Sequence, residues 1–169
     1  AAPSHLVGLN GALLPFRGMA GMLFAPAARL VAGSERVARL VAGRARDPLA
    51  VRRLLAGTGS RIDTRGEALY GRLFGSPAHV GAVLTMMANW ELEPLGAALP
   101  GLRPALTLIA AEGDRAVPAG DADRIAARVA GTRVVRVPRL GHLAHEEAPA
   151  RLAALVDDAV NGRSAAVDR

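Results

Sequence analysis

The sequence predicts an α/β fold in which a block of helices interrupts a parallel sheet. Pro104 to Ala111 is a continuous apolar run of strand length, the kind found in sheets covered on both faces. Arg133 to Val137 is a second strand-like run, and amphipathic helical segments follow both. Between Leu13 and Leu99 no convincing strand pattern occurs, while helix start signals recur. Strand, helical block, strand, helix, strand, helix is the order of an α/β protein with an insertion.

Leu6 to Leu9 reads as a short buried strand stopped by Asn10-Gly11. Ser34 caps a helix carrying Val37, Leu40 and Val41. Asp47-Pro48 places a cap before a proline at the first helical position, with Leu49 and Leu54 following. Gly57 to Ser60 is a break. Thr64 to Glu67 has capping-box spacing ahead of Leu69, Tyr70 and Leu73. Ser76-Pro77 opens a helix through Val80, Val83, Leu84, Met87 and Trp90. Past Pro100 come the strand at 104–111, a helix from Asp121 to Val129 with Ile125 and Val129 inward, and the strand at 133–137. A helix from Arg151 to Val160 carries Leu152, Leu155, Val156 and Ala159 on one face and stops at Asn161-Gly162. The echo between Ala28-Arg29-Leu30-Val31-Ala32-Gly33 and Ala38-Arg39-Leu40-Val41-Ala42-Gly43 is too short in period for a solenoid. The expected organisation is a core strand and connection at 1–14, a helical lid or cap at 15–99, the second half of the core at 100–162, and a tail at 163–169.

Composition narrows the function. The chain has 169 residues, 51% of them hydrophobic, enough for one real core. With no Cys there is neither a disulfide nor a thiolate metal site. The formal net charge is +6 and every one of the 21 basic residues is Arg, scattered along amphipathic segments. Aromatics are 3%, too few for a base-stacking platform, so nucleic acid is not an expected partner. No signal peptide is visible, and the uncharged stretch at 18–28 is too short to span a bilayer. The expected location is cytoplasmic, with at most peripheral contact between a basic face and an anionic membrane.

Two loops carry the chemistry. Gly113-Asp114-Arg115 follows the strand at 104–111, and Pro138 to Pro149, with His142, follows the strand at 133–137. Open α/β sheets place their sites at the carboxyl ends of strands. An acid at one strand end and a His at the next are the last two members of a triad in the order Ser, Asp, His. Asp114 would hold one imidazole nitrogen of His142, and the other nitrogen would take a proton from a serine and return it to the leaving group. No Gly-x-Ser-x-Gly occurs, and Ser4, Ser34, Ser60, Ser76 and Ser164 are poor nucleophiles. The serine is therefore expected upstream, and this chain alone should not hydrolyse esters. His142, His145 and a carboxylate lack the His-Glu-x-x-His spacing of a helical metal site, so no metal and no cofactor are expected. His145 and Glu146 are expected to bond to backbone and shape the loop. His5 and His79 read as structural. Met19, Met22, Leu23, Phe24, Met86, Met87 and Trp90 are candidates to line an apolar pocket in the helical block.

These loops resemble the α/β-hydrolase superfamily, and the stretch from about Pro100 to Val160 carries the likeness. The superfamily often has Gly three residues before the acid, where this chain has Ala111, with Gly113 next to the acid instead. A narrower resemblance covers nearly the whole chain. Gly8 to Phe16, Gly59 to Asp63, Pro77 to Val80, Met86 to Trp90 and Gly141 to Glu147 look like the magnesium-chelatase accessory family of bacteriochlorophyll biosynthesis. That resemblance implies a hydrolase-type fold, a role near magnesium insertion into protoporphyrin IX, and an upstream nucleophile elbow. Three functions follow as expectations: a serine hydrolase acting on an apolar substrate, a non-catalytic module binding tetrapyrrole or the chelatase, and a general ester or lipid hydrolase unrelated to pigments.

Overall fold

The computed structural model describes residues 3–15 and 33–161. Met19, Met22, Leu23, Phe24, residues 28–32 of the sequence echo and the 163–169 tail lie outside them. The chain forms two compact units. One comprises Ala1–Leu14, Gly57–Arg61 and Pro94–Arg169, the other Pro15–Ala56 and Ile62–Glu93.

The first unit is built on a three-stranded parallel sheet, β1 His5–Leu9, β2 Ala105–Ala111 and β3 Arg133–Val137, in that order. The register sets Leu9 beside Ile109 and Ala111 beside Val137. β2 is buried from Leu106 to Ala111 because both its faces are covered. Alternate side chains point to opposite faces of a strand. Leu106, Leu108 and Ala110 join Leu14, Leu99, Ile125 and Val129 in one apolar cluster. Ile109 and Ala111 join Val135, Val137, Ala144 and Leu152 in another. A continuous apolar run is what such a central parallel strand requires.

The helices of this unit follow the sequence closely, with local differences. The helix read as 121–129 spans Gly120–Ala126, and Val129 reaches the core just beyond its end. There Thr132 Oγ1 donates to the Val129 carbonyl and Gly131 turns the chain with φ +75°. The last described helix, Pro149–Val160, begins at its proline rather than at Arg151 and buries Leu152 and Ala159. Leu92–Ala98 is also helical, which periodicity did not indicate. At seven residues it is too short for a clear period, and burial of Leu92 and Leu99 marks it instead.

The second unit is helical in its described part. Glu35–Arg44 is capped by Ser34, whose side chain accepts from Val37 N–H. Pro48–Gly57 begins where Asp47 Oδ1 accepts from Leu49 N–H. Thr64–Phe74 is capped by Asp63 and not by Thr64, because the Asp63 carboxylate takes the Gly66 N–H at 2.7 Å. Glu67, instead of closing a capping box, pairs with Arg52 through two short bonds. Pro77–Ala88 is capped by Ser76. Ala38, Ala42 and Val80 form the small buried contact of this unit, with Leu84 against them.

Candidate functional site

Asp114 and His142 leave neighbouring strands at the same level, since Ala111 pairs with Val137. The carboxylate is aimed by its own turn. Asp114 Oδ1 accepts from the N–H groups of Ala116 at 2.7 Å and Val117 at 2.8 Å. Its other oxygen meets His142 Nδ1 at 2.8 Å. The Asp114 side chain is 1% exposed and that of His142 33% exposed. One end of the pair is thus sealed and the other open. The bond to Asp114 raises the His142 pKa above its ordinary value, burial opposes that rise, and the carboxylate charge adds to it. A carboxylate on Nδ1 fixes the neutral imidazole with its proton there, leaving Nε2 as the acceptor. Nothing among the described residues is bonded to Nε2.

Neighbouring backbones hold the His loop tightly. Asn10, at the end of β1, adopts φ +47°, a left-handed conformation that Asn tolerates better than most residues. Its side chain accepts from Ala111 N–H at 2.8 Å and donates to the carbonyls of Gly141 and His142 at 3.1 and 2.9 Å. Buried Ser60 accepts the Leu143 N–H at 2.8 Å and a hydrogen bond from the Thr58 hydroxyl. The Thr58 carbonyl accepts from His142 N–H and Arg115 N–H. Glu147 accepts from Gly141 N–H at 2.8 Å and Arg61 N–H at 3.1 Å. Three glycines make this stacking possible. A Cβ at Gly59 would lie 1.9 Å from the Gly113 carbonyl oxygen, and one at Gly141 would lie 2.3 Å from the Gly59 carbonyl carbon. At Gly113 it would meet the Leu140 carbonyl oxygen at 2.7 Å. Gly113 therefore supplies the close backbone approach beside the acid, while Ala111 sits in the core.

The sequence reading singled out Asp114 and His142, which the structure brings together, and missed Asn10, Ser60 and Glu147. It assigned loop-shaping to His145 and Glu146. Glu147 is a backbone acceptor in this loop, and the His145 and Glu146 side chains face each other at 3.7 Å. Only the fold shows which of two adjacent carboxylates points inward. Ser60 is an acceptor in the clamp, which gives its hydroxyl a structural task. His5 Nε2 lies 3.0 Å from the Thr107 hydroxyl, a structural contact between β1 and β2. Among the described residues no group of three His, Cys, Asp or Glu side chains could hold a metal ion.

The helical unit contains a cavity of about 440 Å³, lined by Val51, Leu54, Phe74, Val80, Val83 and Met87 among others. Met87 is thus a lining residue, whereas Met86 is half exposed at the surface. Arg44 and His79 stand at the same wall.

Residues 3–155 match the model of the alpha/beta hydrolase family. The magnesium-chelatase 30 kDa subunit of Rhodobacter capsulatus is 42% identical over 159 residues, covering 94% of this chain and 55% of that protein. An alpha/beta hydrolase fold protein from Burkholderia ambifaria superposes with a TM-score of 0.68 at 25% identity, over 93% of this chain and 57% of that one. A thermophilic esterase from Thermogutta terrifontis gives 0.65 at 18% identity, over 94% and 56%, a likeness of fold. The chain spans about half the length of the relatives it matches.

Proposed function

The chain belongs to the alpha/beta hydrolase family, and from that premise we propose that Asp114 and His142 are the acid and general base of a serine-hydrolase site. One observation carries the reading: the buried carboxylate spends one oxygen on two backbone N–H groups and the other on His142 Nδ1. Asp114 orients the ring. His142 Nε2 takes the proton of the attacking hydroxyl, and the resulting imidazolium returns it to the leaving group. In this proposal the nucleophilic serine comes from residues outside this chain, and the reaction is acyl or ester hydrolysis. By itself the chain is inactive.

In the cell we assign the protein an accessory role with magnesium chelatase in bacteriochlorophyll synthesis, on the strength of the 42% identity to a protein named as a subunit of that enzyme. No helix among the described residues is long and apolar enough to cross a membrane. The test is His142→Ala in the full-length protein of a phototroph. Lost ester hydrolysis and lost pigment formation in a folded variant would support the catalytic reading. Full pigment formation would overturn it.

The cavity of the helical unit favours a second reading, a non-catalytic module holding an apolar ligand such as a tetrapyrrole. Its volume is within the range of small-molecule pockets, about 300–1,000 Å³. Titration with protoporphyrin IX, followed by tryptophan quenching, separates the two. Saturable binding that Val83→Arg abolishes, together with an inconsequential His142→Ala, would favour the module.

A further inference from the structure

We propose that Glu147 is a positioning residue for His142: its carboxylate ties the His loop to the Thr58–Arg61 segment and so holds the imidazole against Asp114. The inference rests on the reading of His142 as the base and adds a residue to it.

The geometry supports the assignment. Glu147 Oε1 accepts from Gly141 N–H at 2.8 Å, one residue before His142. Its Oε2 accepts from Arg61 N–H at 3.1 Å, 86 residues away in sequence. One carboxylate therefore bridges two backbones that no strand or helix pairs. Two ionised acceptor oxygens can take two N–H donors in diverging directions, and charge-assisted bonds are the stronger kind. Around that bridge the same two segments meet three more times. Leu143 N–H donates to Ser60 Oγ, and His142 N–H donates to the Thr58 carbonyl. Gly141 lies so close to Gly59 and Ser60 that a Cβ on it would sit 2.3 Å from the Gly59 carbonyl carbon. Asn10 holds the Gly141 and His142 carbonyls from the other side. His142 thus has its backbone pinned on both sides while its ring is partly open. Glu147 is the member of this clamp that joins its two chain segments through a single charged side chain, which makes it the sensitive point.

A loose His loop would let Nδ1 drift from Asp114 while leaving the rest of the sheet intact. A misplacement of about 1 Å costs on the order of a hundredfold in rate. Gln at 147 has one acceptor oxygen, so it retains one of the two bonds. Ala retains neither.

The experiment is a paired comparison of Glu147→Gln and Glu147→Ala in the full chain, with His142 titrated by imidazole NMR. Both variants remove the same charge. If position is what Glu147 supplies, the His142 pKa falls toward the ordinary imidazole value in the order wild type, Gln, Ala. The proton on Nδ1 also exchanges faster in the same order. Equal shifts in the two variants would mean that charge alone acts, and an unmoved titration would mean that Glu147 does nothing for the ring; either overturns the proposal. Should Glu147→Ala fail to fold, Glu147→Gln carries the test through its Nδ1 proton exchange, which a pure charge effect leaves protected. In the full-length enzyme the expected loss is about tenfold to a hundredfold in kcat with KM unchanged. Because the titration needs no turnover, failure of the hydrolase reading would show in His142→Ala kinetics and leave this result standing.

Discussion

Replacing Asp114 by Asn, and separately by Ala, divides the work of this carboxylate into its two halves. Asp114 Oδ1 serves the N–H groups of Ala116 and Val117, and Oδ2 serves His142 Nδ1. Asn keeps a carbonyl oxygen for the turn and places an NH2 opposite the imidazole. That NH2 donates to Nδ1, so the ring carries its proton on Nε2 and cannot accept there. Asp114→Asn should therefore cost only the charge-assisted bond, about 1.5–3 kcal/mol. Asp114→Ala also strips two backbone N–H groups of their acceptor inside a region where the carboxylate is 1% exposed. Val117 is buried whereas Ala116 is exposed, so one buried N–H is left unpaired and Ala should be the worse by about 1–3 kcal/mol. Urea unfolding of both variants measures the gap, and imidazole NMR reads the His142 pKa, which should lose its elevation in both. Equal destabilisation by Asn and Ala would refute the division of labour between the two oxygens. A His142 pKa still raised in Asp114→Asn would refute the assignment of that rise to the carboxylate.

Other consequences follow from the same geometry. Since the bond to Asp114 raises the His142 pKa, the pair's contribution to stability is fully present below the ordinary imidazole pKa of 6.5. That contribution fades as pH rises through the elevated value, and stability measured against pH should decline over that window only when His142 is present. The acidic limb of any hydrolysis should sit above 6.5 for the same reason, because the base must be neutral. Gly59→Ala forces a Cβ to 1.9 Å from the Gly113 carbonyl oxygen at φ +84°. The left-handed backbone alone costs on the order of 1–3 kcal/mol, and loosening of the His loop should appear as faster exchange of the His142 amide. Ile125 is 1% exposed in the core beside β2, so Ile125→Ala should cost about 2–5 kcal/mol in denaturant unfolding.

Much of this was legible in the chain. The buried run at 104–111 announced a strand covered on both faces, because a central parallel strand has no wet side to code for. Ser34, Asp47 and Ser76 announced helix starts, because a cap is a local bond between residues two or three apart. Asp114 and His142 stood out because each follows a strand, and strand ends are where such sheets gather polar groups. What sequence could not settle was any partnership across long separations. Asn10 reads as a turn residue, yet its amide bridges to residues 131 and 132 positions away. Ser60 reads as part of a break, and its hydroxyl is committed to Leu143. Glu146 and Glu147 are chemically equal neighbours until the turn of the short helix Ala144–Glu147 aims one at the backbone and leaves the other beside His145. Local chemistry writes strands, caps and the two strand-end loops that carry Asp114 and His142 into the sequence. Which side chains hold His142 in place is decided by the close approach of three glycine backbones, which exists only once the chain has folded.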